Sequence, residues 1–253
     1  MDHIELPTSE PASPTENLTH HLTELRDRVV NCAIVVLVGA GISYYYSEIL
    51  FRYIRRPIAA FLPSGGFVFL NPVDKFVSYV QVSITAGIVL TCPLWLYQVW
   101  KFIEPGLKEN EKKYGLWFIF FGTFLFMVGL CFVYFLVLPM AFDFLLNFGG
   151  KEDKAMITIS EYLSFFTTTM LIFGLMFEMP LVLTLLGIMG IIDKKFLKEK
   201  RRYAIVVLAV VAAVVTPPDV LSMFMLLIPM MFLYEVSIFT VGIFGDQSQS
   251  EIT

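Results

Sequence analysis

Two carboxylates in the polar segments that flank the apolar runs of the chain could bind a cationic ligand. Glu24 lies in the polar stretch 20–28, directly before the first long apolar run, and Glu111 lies in the charged segment 101–113. One ionised carboxylate accepts two parallel hydrogen bonds from a guanidinium, so two carboxylates facing one pocket would suit a ligand with two adjacent arginines. The alternative is two ordinary interfacial acids, because Glu24 and Arg28 are four residues apart and can form a surface ion pair worth about 0.3–0.5 kcal/mol.

A third carboxylate, Glu178, lies near the middle of the apolar run 159–192. Placing a charged side chain at that depth costs about 2.5–3.5 kcal/mol of free energy on insertion scales, so such a residue is assigned a functional role as the default hypothesis. Two interpretations stay open. Glu178 is a proton relay in a small-solute secondary transporter, or it is a protonated side chain bonded to a neighbouring helix that only stabilises the fold.

The composition predicts the elements that position these carboxylates. The chain of 253 residues is 57% hydrophobic and 16% charged, and it contains 25 Phe. A soluble domain carries about a quarter charged residues. The apolar runs must therefore cross a bilayer as helices, since backbone polar groups in lipid need internal partners. The sequence predicts an all-α polytopic membrane protein. Acidic residues outnumber basic ones before the first helix, which is the wrong pattern for a cleaved signal peptide, so this helix is expected to stay as a membrane anchor.

Six membrane spans are predicted within one domain over 13–240. A disordered tail over 1–12 precedes this domain, and a cytoplasmic tail over 241–253 follows it. Pro93 and Pro180 are expected to kink two of the spans, and Pro57 to interrupt an interfacial helix after the first. The last two spans are short for a normal bilayer. The predicted spans are 29–46, 76–97, 114–138, 159–182, 203–215 and 220–240.

The basic residues predict the orientation of these spans. With six spans, 12 of the 18 lysines and arginines fall in segments on the side of the two termini. Basic residues accumulate in cytoplasmic loops, so both termini are expected in the cytoplasm.

The residue types argue against several other function classes. The three His all precede the first span, and the three Cys are isolated within apolar runs. No metal spacing, phosphate-binding loop or nucleophile–base pair is visible at membrane depth. We expect no cofactor, no metal, no nucleic-acid partner and no enzyme activity.

Several stretches together resemble the TatC family, the core subunit of the twin-arginine protein translocase. They occur in the family's order across 18–240, so the resemblance covers nearly the whole chain. The matching stretches are HLTELR at 21–26, YQVWKFIEPGL at 97–107 with Glu111 following, YF at 134–135 with Pro139 and Phe142, FEMP at 177–180, KRRY at 200–203 and TPPD at 216–219.

The resemblance implies a glove-like bundle of six helices with a concave face, in a bacterial cell inner membrane. It implies a receptor for twin-arginine signal peptides of folded cargo, driven by the proton-motive force and working with TatA/TatB-type single-span proteins and other TatC copies. The positions that match the family's signal-peptide site are Glu24, Arg26, Phe102, Leu107 and Glu111.

Four further positions match functional positions of the family: Pro57, Glu178, Thr216 and Asp219. Many relatives carry a polar residue early in the last span that, with the threonine equivalent to Thr216, helps to hold the partner's helix. Met223 occupies that place here, so the resemblance implies a thinner polar contact to the partner.

Overall fold

The computed structural model describes residues 14–59, 66–147, 156–215 and 220–250, and these residues are almost entirely helical. The extended pairing within them is one isolated parallel bridge between Val68 and Thr158. The helices are α1 (Pro14–Tyr45), α2 (Ser47–Ile54), α3 (Asp74–Leu90), α4 (Cys92–Ile103), α5 (Glu109–Lys112), α6 (Gly115–Phe132), α7 (Leu138–Asn147), α8 (Ile159–Phe177), α9 (Met179–Ile188), α10 (Lys194–Glu199), α11 (Arg201–Val215) and α12 (Val220–Ser250).

Several of these helices are long and apolar enough to cross a bilayer. Four single segments meet this description, and a fifth candidate is formed by α3 and α4 together, which meet at an angle of 59°. The expected all-α polytopic fold is therefore confirmed. The four single segments are Leu22–Tyr45, Gly115–Leu146, Ile159–Ile188 and Met223–Phe244.

Prolines account for two of the breaks. Pro93 lies in the first turn of α4, where its missing N–H is not needed, and the expected kink is confirmed at that place. Pro180 lies in the first turn of α9, directly after the break at Glu178. Pro229, by contrast, lies inside the continuous helix α12.

The helical chain extends beyond two of the predicted spans. The third predicted span continues from α6 through a π-helical turn at Val133–Val137 into α7. Pro139 lies in the first turn of α7, where the missing N–H of proline is tolerated. The last helix continues past the predicted boundary at 240 to Ser250. The predicted N-terminal tail over 1–12 and residues 251–253 lie outside the described residues.

The helix α11 is short for a membrane span. Its 15 residues extend about 22 Å at 1.5 Å per residue, whereas the hydrocarbon core is about 30 Å thick. It packs against α12. The predicted count of six spans therefore stays a prediction.

Two packing features fix the helices near the candidate site. The backbones of α1 and α3 touch at two glycines, since a Cβ atom added to Gly87 would lie 2.5 Å from the backbone nitrogen of Ala40. A small apolar cluster, which includes Leu96, Trp100, Leu107 and Phe118, joins α4, the loop after it and α6. A larger cluster, centred on α8 and α12, forms the rest of the core.

Candidate functional site

The collar consists of residues 22–28, in the N-terminal half of α1. It holds Glu24 and Arg28 on one helix face. Arg28 Nη2 lies 3.4 Å from Glu24 Oε1, and Arg28 Nη1 donates to Gln98 Oε1 on α4 at 3.3 Å. Both distances exceed the 2.7–2.9 Å typical of charge-assisted bonds. The Arg28 side chain is 30% exposed and that of Glu24 is 21% exposed. The guanidinium therefore bridges two helices through two long contacts.

An open groove of about 330 Å³ lies beside this pair. Two carboxylates and one guanidinium line it, and the remaining lining groups are uncharged and polar. Such a lining suits a polar, cationic ligand better than an apolar one. The lining residues are Thr23, Glu24, Asp27, Arg28 and Asn31.

Arg26 lies next to the groove lining and is largely exposed. Its Nε and Nη2 atoms donate to Asp27 Oδ1 at 2.9 and 2.8 Å, and the two side chains are 71% and 58% exposed. Solvent screens such a pair strongly, so its contribution to stability is small.

The loop after α4 is anchored by Leu107. A tight turn at Glu104–Gly106 follows α4, with Pro105 as its second residue. Leu107 then inserts into the small apolar cluster and is 6% exposed. In this structure Leu107 supports the loop from within, whereas Phe102 is half-buried on α4.

An ion pair between Lys101 and Glu104 lies at the start of this loop. Lys101 Nζ lies 2.8 Å from Glu104 Oε2. The hydrogen bond from Lys101 lowers the pKa of the Glu104 carboxyl, and the charges of Lys101, Lys112 and Arg28 act in the same direction. The direct contact of the collar in this region is the bond from Arg28 to Gln98 on α4, and the docking of the loop on the collar stays a prediction.

Three predicted site residues have no described side chain. Glu111 lies on the short helix α5, but its side chain is outside the described residues, so the shared pocket with Glu24 stays a prediction. Thr216 and Asp219 also lie outside the described residues. Met223 is half-buried against the larger core cluster.

Pro57 lies at the opposite end of the molecule, in a tight turn after α2. Proline has no N–H, so the Tyr53 carbonyl lacks the donor that a continuing helix would supply. The Tyr134 hydroxyl donates to this carbonyl at 2.8 Å, and the Tyr162 hydroxyl donates to the carbonyl of Ile54. The Tyr134 side chain from the π-helical turn thus replaces the missing backbone donor, and Tyr162 from α8 hydrogen bonds to the next carbonyl.

Glu178 lies between α8 and α9 and is 5% exposed. Neither carboxylate oxygen has a hydrogen-bond partner within the described part of the chain. A Cβ atom added to Gly122 would lie 3.2 Å from Glu178 Oε2, with Leu96 and Leu181 beside it. Within the described part of the chain, these contacts therefore supply neither a relay partner for the transporter hypothesis nor the hydrogen bond to a neighbouring helix that the stabilising hypothesis expects.

Sequence reasoning missed the contact between Arg28 and Gln98. The spacing of four residues identified the pair of Glu24 and Arg28. Nothing in the sequence indicates that Gln98, within an apolar and aromatic run, faces the collar. The pair of Lys101 and Glu104 has a spacing of three residues on a helix, and this signal could have revealed it.

Comparisons with known proteins agree across most of the chain. The family model "Sec-independent protein translocase protein (TatC)" matches residues 20–229. The TatC protein of Desulforapulum autotrophicum is 41% identical over 234 residues, which cover 92% of this chain and 87% of that protein. The TatC protein of Aquifex aeolicus is 36% identical over 237 residues, which cover 93% and 98%.

The fold agrees with a solved structure. The crystal structure of the twin arginine translocase receptor TatC superposes with a TM-score of 0.80 at 35% identity, covering 90% of this chain and 99% of that one. Sequence and fold thus assign the protein to a non-enzymatic component of protein transport. The chain belongs to the TatC family of Sec-independent protein translocase proteins.

Proposed function

We propose that the protein is the receptor and scaffold of a twin-arginine translocase and binds the signal peptides of folded cargo at the collar. The observation that carries this proposal is the half-buried Glu24 carboxylate beside a polar groove, on a collar that contacts α4 through Arg28 and Gln98. The solved relative is itself described as a twin arginine translocase receptor.

The chemistry of Glu24 explains a preference for arginine. Glu24 is partly withdrawn from solvent, so a charged hydrogen bond to it is weakened less by water than at a fully exposed site. A guanidinium offers a planar pair of donors that matches a carboxylate, whereas an ammonium is a point charge with no fixed fork. Glu111, on α5, is the second carboxylate of the proposed receptor, and Arg26, Phe102 and Leu107 complete it.

The same proposal includes the arrangement in the membrane. The protein crosses a bacterial inner membrane six times with both termini in the cytoplasm, supported by the 12 of 18 basic residues on that side. It assembles with TatA/TatB-type single-span proteins and with further TatC copies, and the proton-motive force drives export. Pro57, Glu178, Thr216 and Asp219 are the other functional positions.

The test is binding of a labelled twin-arginine signal peptide to the purified protein in nanodiscs, with a Lys-Lys version beside it. Glu24→Gln or Glu111→Gln removes one charge-assisted contact and is expected to weaken binding of the Arg-Arg peptide about ten- to a hundredfold. Glu109→Gln is the matched control, because Glu109 lies on the same helix as Glu111 and its side chain is 87% exposed.

Binding that does not distinguish the Arg-Arg from the Lys-Lys peptide, and that neither variant changes, would overturn the proposal. A solute uptake assay in proteoliposomes is the companion measurement, because the proposal predicts no flux that depends on Glu178.

A further inference from the structure

We infer that Arg28 is an internal competitor for the Glu24 carboxylate, which sets the affinity threshold of the peptide site. This inference rests on the proposed function. Arg28 presents to Glu24 the same guanidinium group that a signal-peptide arginine would present, and it does so from one turn further along the same helix. In the unliganded protein, part of the recognition chemistry of Glu24 is therefore already occupied.

The geometry shows that this internal contact is easily exchanged. Arg28 reaches Glu24 through a single N···O contact of 3.4 Å, at the outer limit of a hydrogen bond. A ligand guanidinium that is free to orient can make two parallel bonds of about 2.7–2.9 Å to the same carboxylate. An incoming arginine can therefore form better bonds to Glu24 than the internal arginine does.

Gln98 can hold the guanidinium after it leaves Glu24, because the two contacts use different nitrogens of Arg28. Its amide oxygen accepts from Arg28 Nη1 at 3.3 Å, while Nη2 contacts Glu24. Arg28 can leave Glu24 and remain hydrogen bonded to α4, so its release leaves the partly exposed guanidinium with a partner.

A purely structural role for this pair predicts different behaviour. Both side chains are partly exposed, and partly exposed ion pairs contribute about 0–1 kcal/mol to stability. An internal competitor weakens every ligand of Glu24 by the same factor, because each must first displace Arg28. The dissociation constant of every ligand rises, so a weak ligand no longer binds at its working concentration. The ratio of the affinities of the Arg-Arg and Lys-Lys peptides is unchanged.

The test uses two variants that should act in opposite directions on peptide binding in nanodiscs. Arg28→Gln removes the competitor, and we expect the Arg-Arg and Lys-Lys peptides to bind about two- to fivefold more tightly by a common factor. Gln98→Leu removes the bond that the displaced guanidinium would keep, so displacing Arg28 costs more and we expect both peptides to bind more weakly. The double variant should behave like Arg28→Gln alone.

The control for net charge is Lys195→Gln, which removes one positive charge from the exposed surface of α10. It should leave peptide binding nearly unchanged, and an increase equal to that of Arg28→Gln would overturn the inference. Thermal unfolding of each variant reports folding separately.

The outcomes separate this inference from the proposed function. If Glu24→Gln weakens binding but Arg28→Gln leaves it unchanged or weakens it, Arg28 is not a competitor and the inference alone is overturned. If the unmodified protein does not bind the Arg-Arg peptide in a manner that depends on Glu24, the proposed function and the inference both fail.

Discussion

In its membrane half, α1 touches α3 backbone to backbone at Gly39 and Gly87, whereas its collar half reaches α4 mainly through side chains. A Cβ atom added to Gly39 would lie 3.1 Å from the Gly87 carbonyl oxygen. Nearer the collar, the contacts to α4 are the 3.3 Å bond from Arg28 to Gln98 and, one turn further along α1, the 4.0 Å approach of Cys32 Sγ to the Trp95 carbonyl.

The difference separates the part of α1 whose position is fixed by backbone packing from the part whose side chains can change hydrogen-bond partners. Close backbone contacts cannot rearrange without moving a whole helix, because packed interiors tolerate little change in volume. Partly exposed side chains with long contacts can change partners at small cost. One continuous helix therefore combines a rigidly packed part with an end whose side chains can rearrange, as the proposed peptide site requires.

The largest expected effect comes from breaking the rigid half. Gly87→Ala places a methyl group 2.5 Å from the Ala40 nitrogen and 2.8 Å from its Cα atom, so the two helices must separate. We expect a loss of about 1–3 kcal/mol in unfolding free energy, measured by thermal denaturation in detergent.

The matched control for this substitution is Gly41→Ala, which changes helix propensity equally but meets no atom within 4 Å. Equal melting temperatures for the two variants would show that the crossing of α1 and α3 is not tight.

A smaller effect is expected from Trp95, which supports the bend that carries Gln98 to the collar. The Trp95 indole Nε1–H donates to the Ile88 carbonyl at 3.1 Å, close to the break between α3 and α4. Trp95→Phe keeps an aromatic ring against Phe126 but loses this donor, and we expect a loss of about 0.5–1.5 kcal/mol in thermal denaturation. Trp117→Phe, at a position that is 59% exposed, should change stability less. The reverse order of the two losses would contradict the supporting role of Trp95.

The smallest effect is expected at the adaptable end. Asp27→Asn removes the ion pair with Arg26, in which both side chains are mostly exposed. Solvent screening makes such pairs worth little, so the unfolding free energy should change by less than about 0.5 kcal/mol. A loss as large as that of Gly87→Ala would mean that the collar is as tightly integrated as the membrane half, and the contrast between the two halves would disappear.

Features that depend on local chemistry were predictable from the sequence. The breaks beside Pro93 and Pro180 follow from the missing N–H of proline, and the helical collar follows from the spacing of its apolar residues. Pro139 did not end its helix, because a proline in a first turn is tolerated and the π-helical turn precedes it.

Features that depend on distant parts of the chain were not predictable in the same way. Gln98 meets Arg28 only because the bend of 59° directs α4 toward the collar. The hydroxyl of Tyr134 reaches the carbonyl of Tyr53 only through the packing of two separate helices. Leu107 lies in a segment of mixed polarity, and its burial depends on the apolar pocket that Trp100 and Phe118 provide.

The bridge between Val68 and Thr158 has a consequence for biogenesis. The Val68 amide donates to the Ile157 carbonyl and the Ile159 amide donates to the Val68 carbonyl, both at 3.1 Å. During synthesis from the N-terminus, Val68 emerges long before Thr158, because α6 and α7 lie between them in the chain. The segment before α3 therefore completes its backbone pairing only after α6 and α7 have been made.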